Sequence, residues 1–292
     1  MISIPKYKGL GVVHPDIKLI DSTYWMVYTP FPPEIEEHPC IVRSVDGITF
    51  LDESIKNPII RTEAIDTDPD FIYLPDKKTW ILAWAKYSHY EDKIGIASSK
   101  DGINWDIEKY IGGIEEWEIE REYSMLSQPS LFYEDGVIYL YYSSIKRGNN
   151  EGEVGLITLE YDKDNLRVLE RKGSILSPLQ SENYRGGCGH LDISHFKDRY
   201  LMLCLRKGSN DLFDLFLYGS KDKIEWNLWT ILVKSVEPHN FIYRSCFLTN
   251  KKGEVLSFDG RIRLYYSAYR LKNGVWIPSI EMNEIGEEVL GI

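Results

Sequence analysis

Five short segments of the chain place polar or ionisable side chains just before an apolar strand pattern. Four of them carry such groups at positions i and i+2, and the fifth carries an arginine; they are His14 and Asp16, Asp68 and Asp70, Gln128 and Ser130, His190 and Asp192, and Arg244. If the five strands converge on one axis, these groups meet at one level of a funnel. Convergent carboxyl groups, one ionised and one held protonated, are what cleavage of a glycosidic bond requires.

The strands that must position these groups recur along the chain. The hairpin phrase Ser-x-Asp-Gly followed by an aromatic residue occurs at Ser44–Phe50 and Ser99–Trp105, and again at Ser220–Trp226 with Lys223 in place of glycine. The copies lie about 55 and about 120 residues apart, which indicates a period of about 58 residues and five units. We expect the Ser and Asp side chains to bond the turn backbone rather than a ligand.

Each unit is predicted to be four antiparallel strands. Inner strands begin near each polar segment, and an aromatic-rich return strand follows a turn signal. Strands this regular need closed edges, and radial packing around an axis provides them. The sequence therefore predicts an all-β fold, a five-bladed β-propeller of four-stranded antiparallel blades, with residues 1–292 as a single domain. A β-sandwich would not repeat a four-strand unit five times.

The composition restricts the partners and the location. A net charge of −11 argues against a nucleic acid or an anionic membrane as partner. Cys40, Cys188, Cys204 and Cys246 have no C-x-x-C spacing, which favours reduced core thiols. The first ten residues lack the apolar core of a signal peptide, and no apolar run is long enough to span a membrane, so a cytoplasmic location is expected. The oligomeric state is left open.

Three motifs resemble those of a known superfamily. Asp68-Pro69-Asp70-Phe71-Ile72-Tyr73, the run Gln-Pro-Ser-Leu-Phe-Tyr-Glu-Asp-Gly that starts at Gln128, and the Ser-x-Asp-Gly hairpins resemble the five-bladed propeller glycosidases. That superfamily includes arabinanases, β-xylosidases, invertases and levansucrases, and the pattern is closest to glycoside hydrolase family 43. The resemblance implies three acids: a base on the first blade, an Asp on the second that orients the acid, and a general-acid Glu in a Glu-Gly-Pro motif on the fourth.

The chain departs from this pattern on two blades. Asp70 matches the second-blade Asp. On the first blade the family's Asp-Pro is replaced by His14-Pro15-Asp16, which moves the carboxylate about 6–7 Å along the strand. Either Asp16 or His14 is then expected in the place of the base. On the fourth blade, Gly187-Cys188-Gly189-His190 contains no carboxylate, and Glu182 in the preceding loop is the nearest substitute.

The resulting hypothesis is a glycoside hydrolase, or a glycosidase-like protein, that acts on an oligosaccharide. Asp16 would deprotonate water or attack the anomeric carbon, Asp70 would position the sugar and the acid, and Glu182 or Glu122 would protonate the leaving oxygen. The predicted substrate-binding residues are His14, Asp68, Trp84, Gln128, Arg185, His190, Arg206 and Arg244. No cofactor and no metal ligand is required by the sequence, although a central calcium or similar ion is compatible with a funnel of His and Asp.

Three alternatives stay open. Asp16 and Asp70 can instead accept hydrogen bonds from strand-end amides near the axis. A carbohydrate-binding propeller without turnover is favoured by the absent fourth-blade Glu. A sialidase-like enzyme would use Arg185, Arg206 and Arg244 as a clamp for a carboxylate, but sialidases have six blades and the repeat indicates five.

Overall fold

The computed structural model describes residues 2–4, 11–31, 37–50, 54–88, 92–112, 123–146, 152–177, 184–208, 212–235 and 240–291. Within them the chain forms β-strands and one 3₁₀ turn, Glu287–Leu290. The strands in chain order are β1 Gly11–Ile20, β2 Thr23–Phe31, β3 Cys40–Ser44, β4 Ile65–Leu74, β5 Thr79–Tyr87, β6 Lys93–Ser99, β7 Asp106–Ile111, β8 Tyr123–Glu134, β9 Val137–Lys146, β10 Gly152–Asp162, β11 Asn165–Leu176, β12 Tyr184–Phe196, β13 Arg199–Gly208, β14 Phe213–Ser220, β15 Asn227–Val233, β16 Asn240–Phe247, β17 Thr249–Asn250, β18 Ser257–Phe258, β19 Arg261–Lys272 and β20 Val275–Gly286. No helix in these ranges is long and apolar enough to cross a membrane.

The described strands form five four-stranded sheets, so the predicted five-bladed β-propeller is confirmed. The second, third and fourth blades are consecutive antiparallel meanders, β4 to β7, β8 to β11 and β12 to β15. The first and fifth blades depart from this regularity. In the fifth, β16, β18 and β20 all pair with β19, whereas the first sheet, β1 to β3, is completed by β17, which pairs with β1 in parallel. The last unit of the chain therefore contributes a strand to the first blade.

The repeated hairpin phrase forms the same turn at each copy. The carboxylate of Asp46, Asp101 or Asp222 accepts two backbone N–H bonds of 2.7–2.9 Å from the residues that follow. These bonds lower the pKa of Asp46 to about 2. The turn places Gly47, Gly102 and Lys223 at φ values of 73°, 76° and 71°, where glycine is favoured. The phrase is thus a structural turn, as the sequence predicted.

The apolar core is divided among the blade interfaces. Five clusters of buried side chains occur in the described residues, and each joins two neighbouring blades, the fifth with the first included. Between the first and second blades, for example, the ring centroids of Trp25 and Trp80 lie 4.7 Å apart. Because burial of apolar area is the main favourable term in folding, each blade is stabilised chiefly by its two neighbours.

Cys188 in β12 and Cys204 in β13 form a disulfide, with their Cα atoms 5.4 Å apart. Cys40 and Cys246 are free and buried. The expectation of four reduced thiols was therefore wrong for one pair. Sequence spacing does not show which cysteines face each other, because the pairing of β12 with β13 shifts register near Gly189.

Candidate active site in the propeller funnel

The pairing of each inner strand with its neighbour has an irregularity at the same position. The register shifts after Val13, Thr67, Ser127, Gly189 and Ile242, and two residues are skipped on the inner strand each time. In four blades the first skipped residue has a left-handed backbone: His14 at φ 57°, Asp68 at 53°, Gln128 at 51° and His190 at 49°. Such bulges re-aim a side chain, and non-glycine residues adopt this conformation at a cost. We call these four residues and Tyr243, which begins the bulge of the fifth blade, the funnel ring.

Asp68 lies at the centre of the contacts within the funnel ring. Its Oδ1 is 2.9 Å from His190 Nδ1, 3.5 Å from His14 Nε2 and 3.9 Å from Arg244 Nη1. Burial of Asp68 would raise its pKa, but the two histidines and the arginine outweigh burial and hold the pKa well below the usual range. The ring therefore contains a carboxylate that is ionised at neutral pH.

The contacts of His190 settle which of its two ring nitrogens carries a proton. Gln128 accepts the His190 backbone N–H through Oε1 at 2.9 Å, and its Nε2 lies 3.0 Å from His190 Nε2. An amide nitrogen can only donate, so His190 Nε2 accepts and Nδ1–H donates to Asp68. Burial lowers the pKa of His14 to about 3, and its Nδ1 lies 3.0 Å from the Thr67 hydroxyl.

Tyr243 is a ring member that sequence reasoning missed. Its ring centroid lies 4.0 Å from that of His190 and 5.5 Å from that of His14. The sequence carries the signal, because Tyr243-Arg244-Ser245 aligns with His14-Pro15-Asp16 and its counterparts. Arg244 is the charged residue of this segment, and the prediction therefore fell on it rather than on Tyr243.

A second layer of side chains lies beneath the ring and joins the blades. Four side chains, from Asp16, Asp70, Ser130 and Asp192, each accept a backbone N–H from the inner strand of the next blade. The donors are Phe71 at 2.9 Å, Leu131 at 3.0 Å, Ile193 at 3.0 Å and Phe247 at 3.2 Å. Asp16 and Asp70 therefore make the hydrogen bonds with strand amides that the alternative hypothesis predicted. Catalysis by either residue stays a prediction.

Two buried cations compensate the carboxylates of this second layer. Lys18 Nζ lies 2.9 and 3.0 Å from the two oxygens of Asp16, and Arg244 Nη2 lies 3.1 Å from Asp70 Oδ2. Burial and the charge of Asp16 raise the pKa of Asp192 to about 7 and raise that of Asp70 well above its ordinary value. Asp192 is therefore partly protonated near pH 7, and Asp70 keeps its proton to a higher pH than an ordinary carboxyl group does.

Two clusters among the described residues have the ligand types of a metal site, and neither fits calcium. Calcium takes six to eight oxygen ligands, whereas the cluster of His14, Asp68 and His190 offers two imidazoles and one carboxylate. In the cluster of Asp16, Asp70 and Asp192 the place of a cation is taken by the Lys18 ammonium and the Arg244 guanidinium.

Two predicted substrate-binding residues lie away from the funnel. Trp84 is fully buried between the first and second blades, and its Nε1 donates to Asp66 Oδ1 at 2.9 Å. Arg206 is 1% exposed, with its guanidinium 5.4 Å from the Phe216 ring centroid. Both side chains thus make these contacts in the interior of the blades rather than with the funnel ring, and their binding to a sugar stays a prediction. The side chain of Arg185, and the whole of Glu122 and Glu182, lie outside the described residues.

Glu37, in the segment between β2 and β3, is a carboxyl group that the sequence did not single out. It is half-buried and hydrogen-bonded to Thr67, the neighbour of Asp68. Burial raises the pKa of Glu37 to about 7, and the charge of Asp68 adds to this effect while the bond from Thr67 opposes it. No strand pattern in the sequence marks Glu37, because this residue lies in the segment that connects β2 and β3.

Aromatic rings lead from the funnel ring to the surface of the fifth blade. The centroids of Tyr243 and Tyr269 lie 5.4 Å apart, Tyr269 stacks on Phe241 at 5.2 Å, and Phe241 contacts Trp276 at 5.3 Å. Trp276 is 37% exposed. We call Tyr243, Tyr269, Phe241 and Trp276 the aromatic platform. It offers flat apolar surface beside the polar ring.

The fold and the ring define a five-bladed β-propeller with a carboxylate-bearing funnel. No protein-family model and no curated protein sequence matches the chain. Solved structures with the same fold include an α-L-arabinofuranosidase from Podospora anserina, in complex with cellotriose, at 13% identity and a TM-score of 0.67, over 98% of this chain and 95% of that one. An α-L-arabinanase from Cellvibrio cellulosa, complexed with arabinohexaose, matches at 14% identity and 0.60, over 94% and 91%.

A family 117 glycoside hydrolase from Zobellia galactanivorans matches at 13% identity and 0.64, over 96% of this chain and 87% of that one. The predicted resemblance to five-bladed propeller glycoside hydrolases is thus confirmed as a likeness of fold. The matches also include members of families 62 and 32, so they do not single out family 43.

Proposed function

We propose that the protein is a glycoside hydrolase that cleaves an oligosaccharide in the funnel, with Asp68 as the catalytic carboxylate. The observation that carries this proposal is the set of contacts that Asp68 makes within the funnel ring. Its Oδ1 lies 2.9 Å from His190 Nδ1, 3.5 Å from His14 Nε2 and 3.9 Å from Arg244 Nη1, and the pKa of this buried carboxyl lies well below the usual range. An ionised carboxylate can attack an anomeric carbon or deprotonate water.

The surroundings of Asp16 and Asp70 favour Asp68 over both of them. Both oxygens of Asp16 bind the Lys18 ammonium, and Asp70 is held by Arg244 and by the Leu131 N–H. The raised pKa of Asp70, caused by burial and by Asp16, makes it a poor base at neutral pH. In this proposal the second layer holds the blades and supports Arg244, which in turn reaches Asp68.

The aromatic platform supports an oligosaccharide rather than a small anion as the ligand. Sugar rings present C–H faces that stack on aromatic side chains, and their hydroxyl groups bond the polar ends of Tyr and Gln. Both kinds of group adjoin Asp68 here. The similarity in fold to proteins solved with cellotriose and with arabinohexaose agrees with this substrate class.

The proposal is tested by hydrolysis of a panel of aryl furanosides, aryl pyranosides and natural oligosaccharides. We expect turnover of one sugar class and a loss of kcat of about 10²- to 10⁴-fold in Asp68→Asn. A second candidate is a sugar-binding propeller without turnover, which is favoured by His190 at the fourth-blade position where the family carries its acid. Saturable binding with no hydrolysis by the wild-type protein would establish that candidate and refute the enzyme.

A further inference from the structure

We infer that Glu37 is the general acid of the funnel and protonates the leaving oxygen while Asp68 acts as base or nucleophile. This inference rests on the proposed function. It supplies the group that the fourth blade lacks, since the ring position there is occupied by His190, whose nitrogens are bonded to Asp68 and Gln128.

The backbone around Glu37 is fixed against the second blade. The Glu37 carbonyl accepts the Asp66 N–H at 2.9 Å, and His38 Nδ1 lies 3.0 Å from the Asp66 carboxylate. The Pro39 carbonyl accepts the Ile59 N–H at 2.9 Å. Glu37 and His38 are thus held beside the strand that carries Asp68, and Pro39 is held by the segment that precedes this strand.

The Glu37 side chain joins the network of the funnel ring. It is hydrogen-bonded to Thr67, whose hydroxyl lies 3.0 Å from His14 Nδ1, and His14 Nε2 lies 3.5 Å from Asp68. The two carboxyl groups are therefore linked through one hydroxyl and one imidazole. Glu37 and Asp68 thus belong to one connected network, and cleavage of a glycosidic bond uses two carboxyl groups of one site.

The two carboxyl groups have opposite electrostatic surroundings. Asp68 faces two histidines and an arginine, whereas the charge that acts on Glu37 is that of Asp68 itself. Burial and this like charge raise the pKa of Glu37 to about 7, and that of Asp68 is lowered. Environments that push two pKa values apart assign the acid and the base.

The chemical step is balanced by these two residues and water. The carboxylic proton of Glu37 moves to the glycosidic oxygen as the bond from that oxygen to the anomeric carbon breaks and leaves its electron pair on the oxygen. In the inverting case, water bonds to the carbon and gives its proton to Asp68. In the retaining case, Asp68 bonds to the carbon, and water later displaces it while returning a proton to Glu37.

The test uses the aryl glycoside class that the wild-type protein cleaves, with two leaving groups, 2,4-dinitrophenol and 4-methoxyphenol. A dinitrophenolate leaves without a proton, whereas a methoxyphenolate needs one. We expect Glu37→Gln to lower kcat/KM by about 10²- to 10⁴-fold for the methoxyphenyl substrate and by less than about tenfold for the dinitrophenyl substrate. Glutamine keeps a hydrogen-bonding partner for Thr67, and thermal unfolding checks that the fold is retained.

Glu182→Gln is the matched comparison, because Glu182 is the acid that the sequence predicted. Equal losses for both leaving groups in Glu37→Gln, or no loss at all, would overturn the inference and leave the proposed function intact. The same holds if the leaving-group dependence appears in Glu182→Gln instead. Failure of the wild-type protein to cleave any substrate would overturn the proposed function and the role of Glu37 together.

Discussion

Asp68 and Asp70 lie two positions apart on one strand, and their neighbours give them opposite protonation behaviour. Both are buried, which raises the pKa of any carboxyl group. For Asp68 the nearby His14, His190 and Arg244 outweigh burial. For Asp70 the charge of Asp16 adds to burial, and Lys18 and Arg244 compensate only in part. At the residue scale the choice of catalytic carboxylate therefore depends on neighbours that lie far away in sequence.

The pH dependence of catalysis should follow Glu37. Among the described residues, Asp68, Tyr87, Tyr243 and Tyr269 interact electrostatically with Glu37. Burial raises the pKa of each tyrosine, so these stay neutral near pH 7. We expect kcat/KM to fall as the pH rises through about 7, because the acid loses its proton. This fall in kcat/KM should be absent from the pH–rate profile of Glu37→Gln. If the fall persists in that variant, another group is the acid.

Stability should depend on pH through Asp192. Its folded pKa is raised to about 7, above the value of about 3.9 in an unfolded chain. Between these values the folded state binds more protons than the unfolded state, so the free energy of unfolding falls as pH rises through this window.

Asp192→Asn keeps an acceptor for the Phe247 N–H and removes the titration. We expect it to stabilise the protein on the order of 2 kcal/mol at pH 8, measured by chemical denaturation from pH 5 to pH 8.5. Asp198→Asn, which changes an exposed carboxylate, is the control and should keep the wild-type slope. A steeper slope in Asp192→Asn would contradict the assignment.

At the element scale, the blades could be predicted because the hairpin phrase and the polar segments of the inner strands recur about every 58 residues. The division of the funnel into the funnel ring and the second layer could not be predicted. The bulge and its left-handed residues place His14 and Asp68 in the ring and leave Asp16 and Asp70 in the layer below. The sequence places the i and i+2 groups at one level, because strand periodicity alone does not reveal a register shift.

At the interface of the third and fourth blades, substitution of Gly187 should destabilise the protein, whereas substitution of its neighbour Gly152 should not. An added Cβ at Gly187 would lie 1.4 Å from the Gly152 carbonyl oxygen, whereas a Cβ at Gly152 would come no closer than 3.6 Å to any neighbour. Gly187→Ala must therefore displace backbone.

We expect Gly187→Ala to lower the free energy of unfolding by about 1–3 kcal/mol and Gly152→Ala to change it by less than about 0.5 kcal/mol. Denaturant unfolding of the two variants measures both values. Equal effects of the two substitutions would show that these blades do not approach as closely as described.

At the scale of the whole molecule, closure of the propeller joins the two ends of the described chain. Strand β17 of the last unit completes the first sheet, and one of the five apolar clusters links the fifth blade with the first. Closure brings residues from five distant segments to one axis. It also brings the aromatic platform of the fifth blade beside Glu37 and Asp68, which derive from the first and second.

The aromatic platform should affect long substrates more than short ones. Trp276→Ala removes its outermost ring, and we expect KM for a longer oligosaccharide to rise about three- to tenfold, equivalent to about 0.5–1.5 kcal/mol of stacking. An aryl monoglycoside should be cleaved unchanged. Ile277→Ala is the control, since its side chain is as exposed as that of Trp276. Equal changes in KM for both substrates would show that the aromatic platform is not part of the binding site.

The most direct test of the account is the hydrolytic activity of Asp68→Asn beside Asp70→Asn on the best substrate of the panel. Asparagine at either position keeps an oxygen acceptor, so both variants are expected to fold. The account predicts a loss in kcat of about 10²- to 10⁴-fold for Asp68→Asn and of less than about tenfold for Asp70→Asn. The reverse order would contradict it, because it would place the catalytic carboxylate in the second layer rather than in the funnel ring.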